Sequence, residues 1–207
     1  MKVYFVRHGE SVGNAGRLHQ TIDMPLSELG VAQAVRIAER LRKYKIDIIF
    51  ASPVIRARQT AEIISTNLNV PIEQWDQLAE VKGPSEVGGK LIGDPEVTKI
   101  KKLIRGNYTK RNWKYSDEEN FDDINERAQI FLDHLVKYHS DWDIVCVSHA
   151  TYIKFLVSKM LFGKNLTPEI SHIIYNHVSV QNTGLTVCEH DKENGWLIRH
   201  LNDASHL

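Results

Sequence analysis

An arginine and a histidine, Arg7 and His8, stand together near the N-terminus and are followed by Gly9 and Glu10. An arginine guanidinium is permanently charged and can hold a phosphate or a carboxylate through two parallel hydrogen bonds. A neutral imidazole can act as a nucleophile, a general base or a metal ligand. The pair is therefore a candidate site for an anionic substrate, although an isolated Arg-His pair is more often ordinary polar surface.

Two other polar stretches have a similar character. Ser52-Pro53 is followed three residues later by Arg56, and Ser148-His149 lies in the C-terminal half of the chain. Two arginines and two histidines around one point would form a pocket for a doubly negative group such as a phosphoryl group, whose transfer mainly requires positioning and charge stabilisation. Taken alone, His149 is more often a satisfied core histidine.

Each of these stretches directly follows an apolar run, at residues 1–6, 46–51 and 143–148. Such runs predict buried parallel strands. Ligands in open α/β sheets bind beyond the carboxyl ends of the strands, so the three polar stretches are expected to meet at one edge. A glycine after the first strand would let the backbone turn sharply or approach a ligand closely, and Gly9 holds that position.

The remaining patterns predict helices between these strands. An apolar stripe begins after Ser27, which is predicted to cap a helix, and Pro53 suits the start of a second helix. The predicted helices cover about 28–44, 54–67, 96–105, 121–139 and 151–162, and further strands cover about 71–75, 185–189 and 196–201. This alternation predicts a three-layer α/β/α sandwich with a mostly parallel mixed sheet, as one domain over 1–207 with a cap-like insertion at about 81–120.

The composition narrows the class of protein. The chain has 207 residues, 42% of them hydrophobic and 25% charged, with a formal net charge of zero. That balance disfavours nucleic acid or a membrane surface as the main partner, and no apolar run approaches a membrane span. Without a secretory leader pattern, a cytoplasmic monomer or homodimer is expected. The two cysteines, Cys146 and Cys188, are uninformative about the redox compartment.

Three motifs in order give the sequence a resemblance to a known family. The motifs are Arg7-His8-Gly9-Glu10 with Asn14, Ser52-Pro53-x-x-Arg56-Ala57-x-Gln59-Thr60, and Val147-Ser148-His149-Ala150. The chain resembles the histidine phosphatase superfamily, also called phosphoglycerate mutase-like, over almost its whole length. The closing residues 201–207 resemble the ending of its small bacterial phosphatases, the broad-specificity or alpha-ribazole phosphatase-type branch.

This resemblance implies roles for individual residues. His8 would attack the substrate phosphorus and become a phosphohistidine, while Arg7, Arg56 and His149 hold the phosphoryl oxygens. Asn14 and Gln20 would contact the substrate. Glu80 occupies the position of the family's proton donor, which protonates the leaving alcohol, although a glutamate after a strand is usually solvated.

The expected protein is thus a metal-independent histidine acid phosphatase that hydrolyses a small phosphomonoester and needs no cofactor. No metal-binding motif is present, and the histidines are grouped with arginines rather than carboxylates. A phosphoglycerate mutase-type phosphoryl transfer is one alternative, and a non-catalytic phosphate-binding module is another.

The departures from the family pattern bear on the substrate. Val81-Lys82-Gly83 follows Glu80 where the family usually has Trp-Glu-Gly, and Glu118-Glu119-Asn120 stands where Gly-Glu-Ser is common. The segment 99–114 is strongly basic, which indicates a solvated face or a rim that attracts a multiply anionic substrate. The sequence therefore specifies the reaction more closely than the substrate.

Overall fold

Six strands form one sheet in the computed structural model, which describes all residues 1–207. In spatial order they are β3 (Ile72–Gln74), β2 (Ile48–Ala51), β4 (Asp143–Ser148), β1 (Lys2–Arg7), β5 (Leu185–Asp191) and β6 (Gly195–Asp203). The first four are parallel to one another, whereas β5 runs antiparallel to both β1 and β6. The mixed, mostly parallel sheet that the sequence predicts is confirmed.

Seven α-helices connect or flank these strands. They are α1 (Val12–Ala15), α2 (Glu28–Leu41), α3 (Ile55–Leu68), α4 (Pro95–Asn107), α5 (Phe121–Tyr138), α6 (Ala150–Phe162) and α7 (Pro168–His177). As predicted, Ser27 caps α2, because its side chain accepts a hydrogen bond from the Gly30 amide. None of the helices combines the length and the apolar character that a membrane-spanning segment needs.

The core lies on both faces of the sheet, and β1 shows why. Val3 and Phe5 point into one apolar cluster with residues of α5 and α6, while Tyr4 and Val6 point into a second cluster with residues of α2 and α3. Alternate side chains of a strand face opposite sides of a sheet, so a fully apolar strand must be covered twice. This packing gives the three-layer α/β/α arrangement.

Residues 81–120 contain α4 and one short 3₁₀ turn at Ser85–Val87. They are joined to the loop that follows α1 through three backbone hydrogen bonds, His19 N–H to Lys90 O, Gly89 N–H to His19 O and Ile92 N–H to Arg17 O, at 2.7 to 2.8 Å. We call this connection the 17–92 ladder. The division into one domain with a cap-like insertion stays a prediction.

The basic stretch of this segment is partly neutralised by its neighbours. Lys99 pairs with Glu96, Arg111 with Asp122, and Lys114 with Asp123. Both interpretations of the stretch, a solvated face and a rim that attracts a multiply anionic substrate, stay predictions.

Candidate active site

The three polar stretches lie at one edge of the sheet, because β2, β4 and β1 are consecutive neighbours that run in the same direction. Arg7 is paired with Ser148 in the register of β1 and β4, and Ala51 with Val147 in that of β2 and β4. The ladder continues one residue past each strand, since His8 N–H donates to Ser148 O and Ser52 N–H donates to Val147 O, both at 3.0 Å. Arg7-His8, Ser52 and Ser148-His149 therefore converge, as the sequence predicts.

The His8 ring is buried and its two nitrogens have different partners. Nδ1 lies 2.6 Å from the Gly9 carbonyl oxygen, which can only accept, so Nδ1 carries the hydrogen. The lone pair is then on Nε2, where it accepts from Arg56 Nε at 3.2 Å. Burial, followed by the charges of Arg56 and Arg7, holds the pKa of His8 well below its usual range. His8 is therefore a neutral imidazole with its lone pair directed at a cation.

His149 lies beside it, with 5.1 Å between the two ring centroids. Its Nε2 is 2.8 Å from Ser52 Oγ, whereas its Nδ1 is buried and has no hydrogen-bond partner. Ser52 Oγ also accepts from Val54 N–H. In the tautomer in which Ser52 Oγ donates its hydrogen to His149 Nε2, the Nδ1–H of His149 is the unpaired donor. An unpaired buried donor costs about 1–3 kcal/mol, which an acceptor oxygen of a ligand would offset.

Two buried guanidinium groups supply the positive charge of the site. Arg7 Nη1 donates to Val180 O at 2.7 Å, and its Nε is buried without a partner. Arg56, on the first turn of α3, donates from Nη1 to Thr21 O at 2.7 Å. Burial lowers the pKa of Arg7, and it lowers the pKa of Arg56 to about 10, with Glu80 opposing the shift in both cases. Both remain charged at neutral pH and would be stabilised by an anion.

Glu80 follows a 3₁₀ turn at Asp76–Leu78 and its carboxylate meets the N-terminus of α6. Oε1 accepts from the amides of Val81 at 2.9 Å and Tyr152 at 3.1 Å, and Oε2 accepts from Thr151 at 3.4 Å. Burial raises the pKa of Glu80 although these bonds and Arg56 act in the opposite direction. The carboxyl therefore caps a helix and also keeps its proton to a higher pH than an exposed glutamate.

Asn14 and Gln20, the other residues expected to contact the substrate, are both bound to Ser11. Asn14 Oδ1 accepts from Ser11 N–H at 3.2 Å as the N3 residue of a capping box on α1, and Gln20 Oε1 accepts from Ser11 Oγ at 2.7 Å. Their oxygens are thus used within the loop, which leaves the amide N–H groups as donors for a ligand. Arg58, two residues after Arg56 and therefore on a different face of α3, pairs with Glu62 on the surface.

Gly9 also has a role in packing that the sequence does not indicate. A Cβ atom on Gly9 would lie 2.4 Å from the carbonyl oxygen of Gly30, and one on Gly30 would lie 1.9 Å from that of Glu10. Gly9 therefore permits close approach of the His8 loop to the start of α2. The contact fixes the loop that carries His8 against the helix layer.

Sequence reasoning missed two residues that support His8. Asn182 Nδ2 donates to His8 O at 3.0 Å. Thr60 Oγ1 accepts from Gly9 N–H at 3.1 Å and donates to Arg56 O at 2.8 Å, which connects β1 to α3. Thr60 was within a recognised motif, but Asn182 lies in a turn that carries no motif and reaches the site only because β5 pairs with β1.

Comparisons with known proteins show what the chain is similar to. The family model described as "Histidine phosphatase superfamily (branch 1)" matches residues 3–204. Among curated proteins, the probable phosphoglycerate mutase GpmB of Erwinia tasmaniensis is 28% identical over 214 positions, covering 100% of this chain and 95% of that protein.

Two solved structures share the fold. The alpha-ribazole phosphatase from Shigella flexneri is 21% identical with a TM-score of 0.82, covering 98% of this chain and 96% of the other. A phosphoserine phosphatase from Entamoeba histolytica, solved with 3-phosphoglyceric acid, is 24% identical with a TM-score of 0.79, covering 100% and 98%. The family match therefore spans nearly the whole chain, including every residue of the site.

Proposed function

The chain belongs to the histidine phosphatase superfamily, and from this membership we propose that it is a phosphatase that hydrolyses a small phosphomonoester through a phosphohistidine on His8. The proposed reaction uses only side chains of the site and no metal ion or other cofactor. The observation that carries the proposal is the state of His8, a buried neutral ring whose Nδ1–H is held by Gly9 O and whose Nε2 lies among cationic and hydrogen-bonding groups.

In the first step, His8 Nε2 attacks phosphorus and the bond from phosphorus to the alcohol oxygen breaks. Arg7, Arg56 and the Nδ1–H of His149 supply positive charge and donors for the phosphoryl oxygens, which is the main requirement of this transfer. Arg56 gives up its bond to Nε2 when the phosphoryl group enters between them.

Glu80 serves as the proton donor in this step. An alkoxide is a poor leaving group, so a positioned acid contributes about 10²- to 10⁴-fold. The raised pKa of the Glu80 carboxyl supports this role, because burial keeps the carboxyl protonated to a higher pH than an exposed glutamate. In the second step, the resulting carboxylate takes a proton from the water that attacks the phosphohistidine, and phosphate is released.

The direct test is phosphate release from a panel of phosphate esters by the wild type and by His8→Ala, with and without chelator. We expect His8→Ala to lose roughly 10³-fold or more of the activity, because the nucleophile is removed. We also expect wild-type enzyme quenched during turnover to hold acid-labile phosphate that the variant lacks. Equal activity of the two proteins would remove His8 from the mechanism, and loss of activity in chelator would establish a metal requirement.

A phosphoglycerate mutase-type transfer is the second candidate, because curated relatives such as that of Erwinia tasmaniensis are named as mutases. The two reactions share the phosphohistidine and differ in the acceptor, which is water or a second hydroxyl. Incubation with 3-phosphoglycerate and a trace of bisphosphoglycerate separates them. We expect free phosphate, and 2-phosphoglycerate without free phosphate would favour the mutase.

The remaining expectations about the protein stay predictions. They are a cytoplasmic location, a monomeric or homodimeric state, and a small soluble phosphate ester rather than nucleic acid or a membrane surface as the partner. Turnover by this site would also exclude the non-catalytic phosphate-binding module.

A further inference from the structure

The segment that carries Glu80 is held by side chains rather than by a neighbouring strand. Residues 77–82 comprise the end of the 3₁₀ turn at Asp76–Leu78 and the residues after it, and they belong to no strand. Arg127 Nη1 donates to the carbonyl oxygens of Gln77 and Ala79, each at 2.8 Å, and Ser148 Oγ donates to that of Leu78 at 2.7 Å. Three successive carbonyls immediately before Glu80 are thus fixed from outside the segment.

The segment is also held on the other side of Glu80. Glu119 Oε2 accepts from Lys82 N–H at 2.8 Å, and Glu119 N–H donates to Lys82 O at 2.9 Å. Glu119 also forms a bidentate ion pair with Arg127. Arg127 Nε donates to Glu119 Oε1 at 2.8 Å, and Arg127 Nη2 donates to Glu119 Oε2 at 2.9 Å. The side chains of Arg127 and Glu119 are only 16% and 21% exposed, so solvent screens this pair less than an exposed one.

A third contact ties Arg127 to the groups that bind the Glu80 carboxylate. The Arg127 guanidinium carbon lies 4.0 Å from the centroid of the Tyr152 ring. The amide of the same tyrosine donates to Glu80 Oε1 at 3.1 Å. Arg127 therefore contacts both the backbone just before Glu80 and Tyr152, whose amide binds the Glu80 carboxylate.

We propose that Arg127 and Glu119 are positioning residues that hold the Glu80 carboxyl in place for proton transfer. This inference rests on the proposed function, in which Glu80 is the proton donor. The pairing has an electrostatic consequence. Because Glu119 compensates the charge of Arg127, the arginine orients the segment without adding an uncompensated cation that would keep Glu80 ionised. A single arginine in this place would oppose the role of an acid.

The test compares two substrates that differ in their need for an acid. An alkyl phosphate such as glycerol phosphate requires protonation of its leaving oxygen, whereas 2,4-dinitrophenyl phosphate releases a stable anion without it. The rate of the first turnover, measured as phosphorylation of His8, is determined for Arg127→Met, Glu119→Gln and Glu80→Gln. Arg58→Met is the matched control, since Arg58 forms only an exposed pair with Glu62.

We expect Arg127→Met and Glu119→Gln to slow the first turnover of the alkyl phosphate by about 10- to 100-fold. The dinitrophenyl ester should change less than about threefold, as in Glu80→Gln, and Arg127→Lys should recover part of the alkyl rate. Arg58→Met should match the wild type on both substrates.

Other outcomes separate the inference from the proposed function. If Glu80→Gln shows the selective loss but the Arg127 and Glu119 variants slow both substrates equally or neither, the positioning role is wrong and the proposed function stands. If Glu80→Gln itself slows both substrates equally, Glu80 is not the acid and both proposals lose their basis. Should Arg127→Met fail to fold, Glu119→Gln decides the question.

Discussion

His8 and Glu80 share one buried site, yet burial moves their pKa values in opposite directions. Burial penalises the charged form of each group, which is the protonated form of the histidine and the ionised form of the glutamate. The pKa of His8 falls well below its usual range and that of Glu80 rises. Burial therefore widens the range of pH over which the nucleophile is neutral and the range over which the acid is protonated, and it moves the two ranges toward each other.

This pair predicts the pH dependence of the reaction on alkyl phosphates. Activity should fall on the acid side only when pH drops through the depressed pKa of His8, and on the alkaline side as pH rises through the raised pKa of Glu80. We expect kcat/KM to decline on the alkaline side at a higher pH than the pKa of an exposed glutamate would give. The measurement is the pH profile of kcat/KM for glycerol phosphate.

Glu80→Gln is the control for this profile. The variant should lose activity and also the alkaline decline that belongs to the carboxyl. If the decline keeps its midpoint in Glu80→Gln, it belongs to another group, and the assignment of the acid is wrong.

At the scale of elements, the strands and the motifs at their ends were predictable because both depend on local sequence. An apolar run followed by Arg7-His8 or Ser148-His149 is visible without any long-range information. The boundaries were less accurate, since α2 ends at Leu41 rather than near 44. The segment after Leu41 continues in single turns bonded to Glu39 and Arg40 before β2 begins.

Two helices, α7 and α1, were not predicted, for different reasons. Helix α7 was missed although Thr167-Pro168 is a typical start, with the Thr167 side chain accepting from the Ile170 amide. The short α1 has four residues and no apolar stripe, so the sequence offers only its capping box as a signal. The contacts of Arg127 with the segment before Glu80 join residues about 50 positions apart, and no local pattern indicates them.

The contact between Gly9 and Gly30 gives a prediction about element packing. Gly30→Ala places a Cβ atom 1.9 Å from the carbonyl oxygen of Glu10, so α2 and the His8 loop must separate. We expect the free energy of unfolding to fall by about 1–3 kcal/mol or more, with a loss of activity. Chemical denaturation measures the first and phosphate release the second.

Gly106 provides the matched control, because it lies within α4 and an added Cβ would meet nothing within 4 Å. Gly106→Ala should stabilise the protein by about 0.5–1 kcal/mol through helix propensity. If the two substitutions changed the free energy of unfolding equally, steric crowding at Gly30 would not be the cause of the change.

At the scale of the whole molecule, the C-terminal residues return to the helix layer and to the active-site edge. Arg40 on α2 forms an ion pair with Asp203 and donates to Ser205 Oγ at 3.1 Å. His206 Nε2 lies 3.1 Å from Thr183 Oγ1, and Thr183 N–H donates to Arg7 O at 3.0 Å. The C-terminal residues thus help to hold the turn beside Arg7. Contacts that stabilise the fold therefore also support the active site.

The ion pair predicts how stability changes with pH. The hydrogen bond from Arg40 is the main reason that the pKa of Asp203 lies well below its ordinary value. The ion pair therefore contributes fully to the free energy of unfolding above the pKa that Asp203 has in the unfolded chain, about 4. This contribution is lost as pH falls through the lower pKa of Asp203 in the folded protein. Asp203→Asn should lower the free energy of unfolding by about 1 kcal/mol at neutral pH, less than a buried pair would.

Denaturation at neutral pH and at about pH 3 checks this, with Glu62→Gln as the control that removes the exposed pair with Arg58. The difference between the wild type and Asp203→Asn should shrink at the lower pH, while Glu62→Gln stays within about 0.5 kcal/mol at both. A difference that grows on acidification would contradict the assigned sign.

The 17–92 ladder has a consequence for anyone who wishes to redesign this enzyme. The loop that pairs with residues 89–92 also presents the Thr21 carbonyl that holds Arg56. A chimaera that receives residues 81–120 from a relative would therefore disturb the position of Arg56, which binds the phosphoryl group in the proposed reaction, as well as the substrate specificity. If residues 17–21 are grafted together with residues 81–120, both sides of the 17–92 ladder come from the same parent protein.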